Sequence, residues 1–231
     1  VHGCRHRGDP SVTRGAYLLL LPLLAGTALA ADPPLAKAPI GSSAGSAASL
    51  PASGVYGGLS LAITGDEVSG VFSEARRGGG SEAAPQFSCV FLLRGRLENG
   101  RGRVETWYPG EEPIPGDLFF EGGRVRLTLR ENHGGCPMTT GDMVREPYRA
   151  GLDRAGEGWI GVALVTAQRA VFRPAPGAPA PRTPYVVEGD AVAVLERQGD
   201  WVRARYVAGQ RPVTGWLRAS ELAPDRPTGV P

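Results

Sequence analysis

Glycine recurs between short apolar runs from residue 54 onward, and this punctuation constrains the fold more than any other feature of the sequence. The chain has 34 Gly and 21 Pro among its 231 residues, a content close to the level at which low-complexity disorder becomes a concern. Most of the glycines, however, separate runs in which apolar and polar residues alternate, and no segment keeps a helical period. The sequence therefore predicts an all-β fold of many short strands joined by tight turns.

Residues 54–153 have the pattern of an antiparallel meander, which we expect to form a small barrel or a curled sheet. Leu59, Leu61 and Ile63 alternate with smaller residues in the first clear strand. Two dipeptides stand between apolar runs, where a hairpin turn needs positive φ angles: Asn99-Gly100 and Gly122-Gly123. In residues 124–130 arginines alternate with Val and Leu, which predicts one buried and one solvated face.

The first 30 residues have the pattern of a secretory signal peptide. Arg5, Arg7 and Arg14 precede a short apolar run, and an Ala-x-Ala site ends at Ala30. The run is shorter than the about 20 residues that a membrane helix needs, with an uncleaved anchor or a buried helix as the alternatives. We therefore expect an extracytoplasmic (periplasmic or secreted) protein with no integral membrane segment after signal cleavage.

Residues 31–53 are rich in Ala, Pro, Ser and Gly and are expected to be a flexible linker. Cleavage of the signal would remove three Arg and one Asp, which leaves 22 basic and 22 acidic side chains. The mature chain is then formally neutral, and this argues against nucleic-acid binding, because nucleic-acid-binding proteins carry a concentrated basic excess. We expect any binding to the cell envelope to depend on local shape and only weakly on salt.

The cysteines agree with an oxidising compartment. Cys4 lies in the expected signal peptide, so Cys89 and Cys136 are the cysteines of the mature chain. An even number of cysteines in an exported protein predicts that the two form a disulfide. By closing a loop of about 48 residues, the bond would stabilise the fold by about 4 kcal/mol.

Residues 159–223 contain a second series of landmarks. In chain order these are A-x-F-R-x-x-P at 170–176, Gly-Asp at 189–190, Gly-Asp-Trp-Val at 199–202, Gly-Trp-Leu at 215–217 and Ser-x-Leu at 220–222. This order resembles bacterial SH3 (SH3b) domains. The resemblance implies a small barrel that binds extracytoplasmic ligands, often cell-wall peptides or glycans, without catalysis.

A Pro-rich insertion at residues 174–184 departs from the SH3b pattern, in the loop that often borders the binding groove. We expect residues 145–158 to be a short connector and residues 224–231 to be a tail. The predicted fold is thus an antiparallel meander or barrel-like domain followed by an SH3b-like small barrel.

Aromatic side chains are the strongest candidates for ligand contacts, because their faces stack on sugar rings and on prolines. Core packing is the alternative for each of them. The candidate groove residues of the second module are Tyr185, Trp201, Tyr206 and Trp216. In the first module, the residues at loops that could contact a partner are Trp107, Tyr108 and His133.

The sequence contains few candidate catalytic or metal-binding residues. His133 stands three residues before Cys136, which invites a nucleophile-and-base interpretation, but a disulfide at Cys136 would exclude it. One His and two oxidised cysteines do not supply the three or four ligands of a zinc site. Glu111 and Glu112 fall in a loop with no sign of burial. We therefore expect no catalytic residue, no metal and no cofactor.

These observations favour a non-enzymatic binding protein whose partner is a cell-wall peptide or glycan, or an envelope protein, and not a nucleic acid. The alternative is an inhibitor of an extracytoplasmic enzyme such as a lysozyme or a protease, with residues 132–137 as the inhibitory loop. A hydrolase that uses Glu111 or His133 in an unrecognised site is the less favoured reading.

Overall fold

The computed structural model describes residues 51–76, 87–208 and 211–225. The expected signal peptide and residues 31–50 of the expected linker lie outside this part of the chain, as do residues 226–231 of the expected tail. Strands dominate the described residues, which confirms the predicted all-β fold. None of the helices in the described ranges is long and apolar enough to cross a membrane.

The first module is one antiparallel sheet of nine strands. The strands are β1 (Gly54–Tyr56), β2 (Leu59–Thr64), β3 (Glu67–Arg76), β4 (Phe87–Arg96), β5 (Arg101–Trp107), β6 (Ile114–Glu121), β7 (Arg124–Leu129), β8 (Tyr148–Gly151) and β9 (Arg154–Ala155). Their order in the sheet is β8-β7-β6-β5-β4-β3-β2-β1-β9. From β1 to β8 each strand pairs with the next along the chain, so the predicted meander is confirmed.

Both predicted hairpin turns form with the backbone angles that their sequences favour. Asn99 and Gly100 have φ angles of 52° and 75°, and Gly122 and Gly123 have φ angles of 57° and 75°. Positive φ at both central positions gives a turn whose twist matches that of the flanking strands. These turns join β4 to β5 and β6 to β7, and they set the register of both hairpins.

The expected connector at residues 145–158 contains two short strands, β8 and β9, that belong to the sheet. β8 pairs with β7 at one edge and β9 pairs with β1 at the other, although only Leu152 and Asp153 separate β8 from β9. The sheet therefore curls until its two edges meet. The Tyr148 hydroxyl donates a hydrogen bond to the Tyr56 carbonyl at 2.8 Å across this closure.

Side chains fill the interior of the curled sheet. Phe72 and Phe91 stack at a ring-centroid distance of 5.0 Å, surrounded by buried Leu and Val from the neighbouring strands. Cys89 on β4 forms the predicted disulfide with Cys136, which begins the short helix α1 (Cys136–Thr139). The confirmed disulfide agrees with an oxidising, extracytoplasmic location.

The second module is a small barrel-like unit. Its strands are β10 (Gly161–Leu164), β11 (Ala170–Val171), β12 (Tyr185–Val186), β13 (Ala191–Gln198), β14 (Trp201–Tyr206) and β15 (Thr214–Arg218), followed by a 3₁₀ helix (Ala219–Glu221). Four strands form a sheet in the order β10-β13-β14-β15, and β11 and β12 form a separate ribbon. Bridges from Arg173 to Trp216 and from Val165 to Leu222 draw the chain around a second apolar core.

The two modules share a third apolar core. The residues of this interface are Ala62, Val71, Leu92 and Trp107 from the first module and Trp159, Val162, Leu164, Ala191, Ala193, Val207 and Ala223 from the second. Leu61 and Ala62 on β2 point to opposite faces of the sheet, and both are buried. The second module thus covers part of the outer face of β2 to β4, and the outer face of β5 to β8 carries the alternating charged residues that the sequence predicts.

Candidate functional site

Trp201 and Trp216 lie on the same outer face of the second module. Side chains alternate along β14, so Val202 and Ala204 enter the core while Trp201 and Arg203 point outward. Trp201 is opposite Arg218 on β15, and Arg203 is opposite Trp216. The two tryptophans are therefore diagonal neighbours across one strand pair.

Two guanidinium groups lie over the Trp201 ring. The Cζ atom of Arg218 is 4.8 Å from the ring centroid, and that of Arg173 is 5.2 Å from it. Arg173 is also fixed by Glu221, whose carboxylate lies 3.8 Å from it, and by backbone hydrogen bonds to Trp216. Both guanidinium contacts order the Trp201 ring. Arginine stacked on an aromatic face can keep its N–H donors available at the rim, as the exposed Arg218 does, whereas the Arg173 guanidinium is occupied by Glu221 and the Val171 carbonyl.

We call this surface the tryptophan–arginine face. It consists of Trp201, Trp216, Arg173, Arg203 and Arg218. Both tryptophans are half-buried, so each ring is anchored by packing and still presents an edge or a face to solvent. A fixed aromatic ring beside guanidinium donors can stack on an apolar or sugar surface while binding a carboxylate.

The other two predicted groove residues lie elsewhere. Tyr185 is 46% exposed on β12, where the guanidinium of Arg169 stacks at 4.0 Å from its ring centroid. Tyr206 points away from the tryptophan–arginine face, and its hydroxyl donates to Asp190 at 3.4 Å. Burial, and then the negative charge of Asp190, raise the pKa of Tyr206. The structure thus unites two of the four aromatic candidates and separates the other two.

The Pro-rich insertion forms an apolar groove next to this face. The groove has a volume of about 460 Å³ and is lined by Phe172, Arg173, Pro174, Pro179, Ala180, Pro181, Pro184 and Thr214. Arg173 lines the groove and also lies over Trp201. The prolines of the insertion therefore form one wall of a groove beside the tryptophan–arginine face and extend that face. The SH3b sequence pattern does not predict this wall, because it lacks the insertion.

The first-module candidates lie at the junction of the modules. Trp107 is 2% exposed and packs in the interface, which argues against a contact with an external partner. Tyr108 and His133 line a cavity of about 380 Å³ together with Glu111 and with Glu188 from the second module. In residues 132–137, the expected inhibitory loop, His133 and Cys136 are buried and Gly134 and Pro137 are exposed. The inhibitory role stays a prediction.

One hydrogen bond fixes the tautomer of His133. The Thr106 hydroxyl donates its single proton to the Ile114 carbonyl at 2.9 Å, so at 2.8 Å it accepts from His133 Nε2–H. The ring stacks on Phe91 at 4.5 Å, and its Nδ1 is buried with no hydrogen-bond partner. Burial lowers the pKa of His133 from its ordinary value of 6.5 to about 4, so the imidazole is neutral at pH 7.

The surroundings of His133 do not form a catalytic set. Cys136 is in the disulfide and cannot act as a nucleophile, and Glu111 is exposed at the cavity rim. Asp117 on β6 is paired with Arg130 at 2.8 Å. Within the part of the chain that the structure describes, no three metal-ligating side chains lie together.

The arginines of the tryptophan–arginine face were missed by the sequence analysis, which considered aromatic residues alone. The signal was present in the run from Trp201 to Arg205, where Trp and Arg recur at every second position and so share a face of a strand. Arg173 carried no such signal, because only the barrel closure brings it to Trp201. Comparison with family models, with curated proteins and with solved structures finds no match to this chain.

Proposed function

We propose that this chain is an extracytoplasmic, non-enzymatic binding protein that recognises a cell-envelope ligand through the tryptophan–arginine face. The observation that carries the proposal is the pair of half-buried tryptophans on one face, where two arginines lie over the Trp201 ring and a third is opposite Trp216 on the neighbouring strand. Such a surface binds ligands that combine a flat apolar or sugar surface with a negative charge.

Peptidoglycan has this combination, because its sugar rings and peptide bonds offer stacking surfaces and its peptides carry carboxylates. The glycan strand or peptide would stack on Trp201 and Trp216, and a carboxylate would pair with Arg218 at the rim. Arg203 could contribute if the ligand replaces Glu196, which lies 3.7 Å from it. Arg173 has a different role: its ion pair with Glu221 fixes the position of Trp201. The proposed ligand class is therefore a peptidoglycan peptide or glycan.

Three further observations support an extracytoplasmic location and a cell-wall ligand. The N-terminal 30 residues have the pattern of an export signal, and the Cys89–Cys136 disulfide suits an oxidising compartment. The order of landmarks in residues 159–223 resembles SH3b domains, whose ligands are often cell-wall components. The small barrel-like arrangement of β10 to β15 is compatible with that resemblance.

Sedimentation with purified cell wall tests the proposal. We expect wild-type protein to pellet with the wall, and we expect Trp201→Ala and Trp216→Ala each to weaken binding by about tenfold or more, as the loss of a central aromatic contact does. Tyr185→Ala is the matched control, because it removes an exposed aromatic side chain outside the face.

Two results would contradict the proposal. Absence of wild-type protein from the pellet would exclude wall binding. Loss of binding in Tyr185→Ala, with both tryptophan variants still pelleting, would move the site to the β11–β12 ribbon. Thermal unfolding of each variant checks that the fold is intact.

A further inference from the structure

A row of arginines crosses the solvated face of the first module. Arg101 on β5 is opposite Phe119 on β6, Phe119 is opposite Arg126 on β7, and Arg126 is opposite Arg149 on β8. Residues that are directly opposite in neighbouring strands share a face. The row therefore spans three strand spacings, or about 14 Å, at right angles to the strands. We call it the arginine row.

The arginines of this row have no acidic partner among the described residues. None of the carboxylates in that part of the chain lies within ion-pair distance of Arg101, Arg126 or Arg149. The same holds for Arg103 and Arg124 in the flanking positions. By contrast, Arg94, Arg96 and Arg130 on the same module each pair with a carboxylate.

The arginine row contains a pair of like charges. Arg126 and Arg149 are direct cross-strand neighbours, and like charges in that arrangement are destabilising. The outer face of β5 to β8 also carries acidic side chains, at Glu105, Asp117 and Glu121, but none of these stands within the row. A like-charge pair without a neutralising partner is a surface that an anionic ligand would stabilise.

We propose that the arginine row is a binding site for an acidic polysaccharide, distinct from the tryptophan–arginine face. Guanidinium groups bind carboxylates, sulfates and phosphates with paired hydrogen bonds. A linear chain lying across the strands would meet Arg101, Arg126 and Arg149 in turn. Its charges would relieve the repulsion between Arg126 and Arg149.

The covered and half-buried ring of Phe119 favours a polysaccharide over a nucleic acid or a lipid surface as the ligand. The Arg126 guanidinium already covers the Phe119 ring at 4.4 Å from its centroid, and Arg101 lies 5.9 Å from it. Single-stranded nucleic acids need aromatic faces on which bases can stack. A bilayer surface is bound through exposed apolar side chains that insert, whereas Phe119 is half-buried.

Binding of heparin, a soluble acidic polysaccharide, to the full chain is the direct test. At 50 mM NaCl we expect wild-type protein to bind heparin and not neutral dextran, and we expect binding to weaken by about tenfold or more at 200 mM NaCl. The triple variant Arg101→Gln, Arg126→Gln, Arg149→Gln should lose at least about tenfold in affinity. The single variant Arg149→Gln should bind more weakly than wild type and unfold at the same or a higher temperature.

The matched control removes the same charge elsewhere. The variant Arg145→Gln, Arg182→Gln, Arg211→Gln changes three exposed arginines that lie outside the arginine row and are not among the five residues of the tryptophan–arginine face, although Arg182 is in the Pro-rich insertion. We expect its heparin affinity to stay within about twofold of wild type. Equal losses in the two triple variants would show that only net charge matters and would overturn the proposal.

Other outcomes also decide the question. Equal or tighter binding of single-stranded DNA, or of vesicles that contain anionic phospholipid, would overturn the assignment to a polysaccharide. Trp201→Ala should lose far less heparin affinity than the triple variant of the arginine row, because it leaves that row intact. Failure of heparin binding would leave the wall-sedimentation result untouched, so the two proposals fail separately.

Discussion

His133 is one of three buried polar residues in the part of the chain that the structure describes. It is 3% exposed, stacks on Phe91, and donates Nε2–H to Thr106, while Nδ1 has no partner. A protonated imidazole at this position would lose solvation and would gain no acceptor for its second N–H. This is the physical reason for the low pKa.

Protonation of His133 should destabilise the fold in acid. The folded imidazole titrates near pH 4 and the unfolded one near 6.5, so between these values the unfolded chain binds a proton that the folded chain does not. The free energy of unfolding should therefore fall as the pH decreases from 6.5 to 4, by about 3 kcal/mol in total from this group.

Urea unfolding at several pH values, compared between wild type and His133→Phe, measures this contribution. The variant keeps an aromatic ring against Phe91 and removes the titrating group. Its stability should fall less between pH 6.5 and 4 than that of wild type. Parallel pH profiles for the two proteins would show that His133 does not contribute.

At the scale of single elements, the Asn99-Gly100 turn joins β4 to β5. Gly100 has a φ angle of 75°, and a Cβ added there would meet only ordinary contacts at 3.5 Å or more. The cost of a side chain is thus conformational and not steric. Gly100→Ala should reduce the free energy of unfolding by about 1 kcal/mol, with a smaller loss for Gly100→Asn.

Gly134→Ala is the control for this turn. Gly134 is not among the residues with positive φ, and a Cβ there would meet nothing within 4 Å. Chemical denaturation should show a change within about 0.5 kcal/mol for this variant. A loss in Gly134→Ala as large as in Gly100→Ala would contradict the role assigned to positive φ.

Strands β8 and β9 were not predicted from the local sequence pattern. Tyr148, Ala150 and Leu152 occupy alternate positions here, but this pattern is too short and too weakly apolar to predict a strand by itself, so the sequence indicated a connector. These residues are strands because β7 and β1 offer unpaired backbone groups on either side. A strand that exists to close a sheet is specified by its neighbours and not by its own periodicity.

At the scale of the whole molecule, the interface between the modules has the composition of a core. Small residues such as Ala62 and Ala193 allow close approach, and Trp107 and Trp159 fill the remaining space. The burial of both faces of β2 depends on the second module. We therefore expect the two modules to unfold in one cooperative transition.

Leu164→Ala tests this cooperativity. Leu164 is 1% exposed and lies in the interface, so its truncation should cost about 2 to 4 kcal/mol and lower the single calorimetric transition. Ile160→Ala is the control, because Ile160 is 50% exposed. Separation into two transitions, with the first module unaffected, would contradict a shared core.

The distribution of charge over the surface also depends on the whole molecule. The expected mature chain is formally neutral, and this predicted weak salt dependence for binding to the cell envelope. That expectation remains a prediction for the tryptophan–arginine face. The fold, however, collects Arg101, Arg126 and Arg149 in one row, where a local positive field exists in spite of the neutral sum.

The sequence by itself determined the features that depend on neighbouring residues along the chain. The hairpin turns follow from the φ preferences of Asn and Gly, and the buried face of β7 follows from strict alternation. The disulfide followed from counting the cysteines in an exported chain. Tertiary structure alone decided which faces of the sheet meet the second module, that Arg173 reaches Trp201, and that three arginines on three strands form a row. These arrangements join residues far apart in sequence, and their positions depend on how the sheet curls and which strands pair.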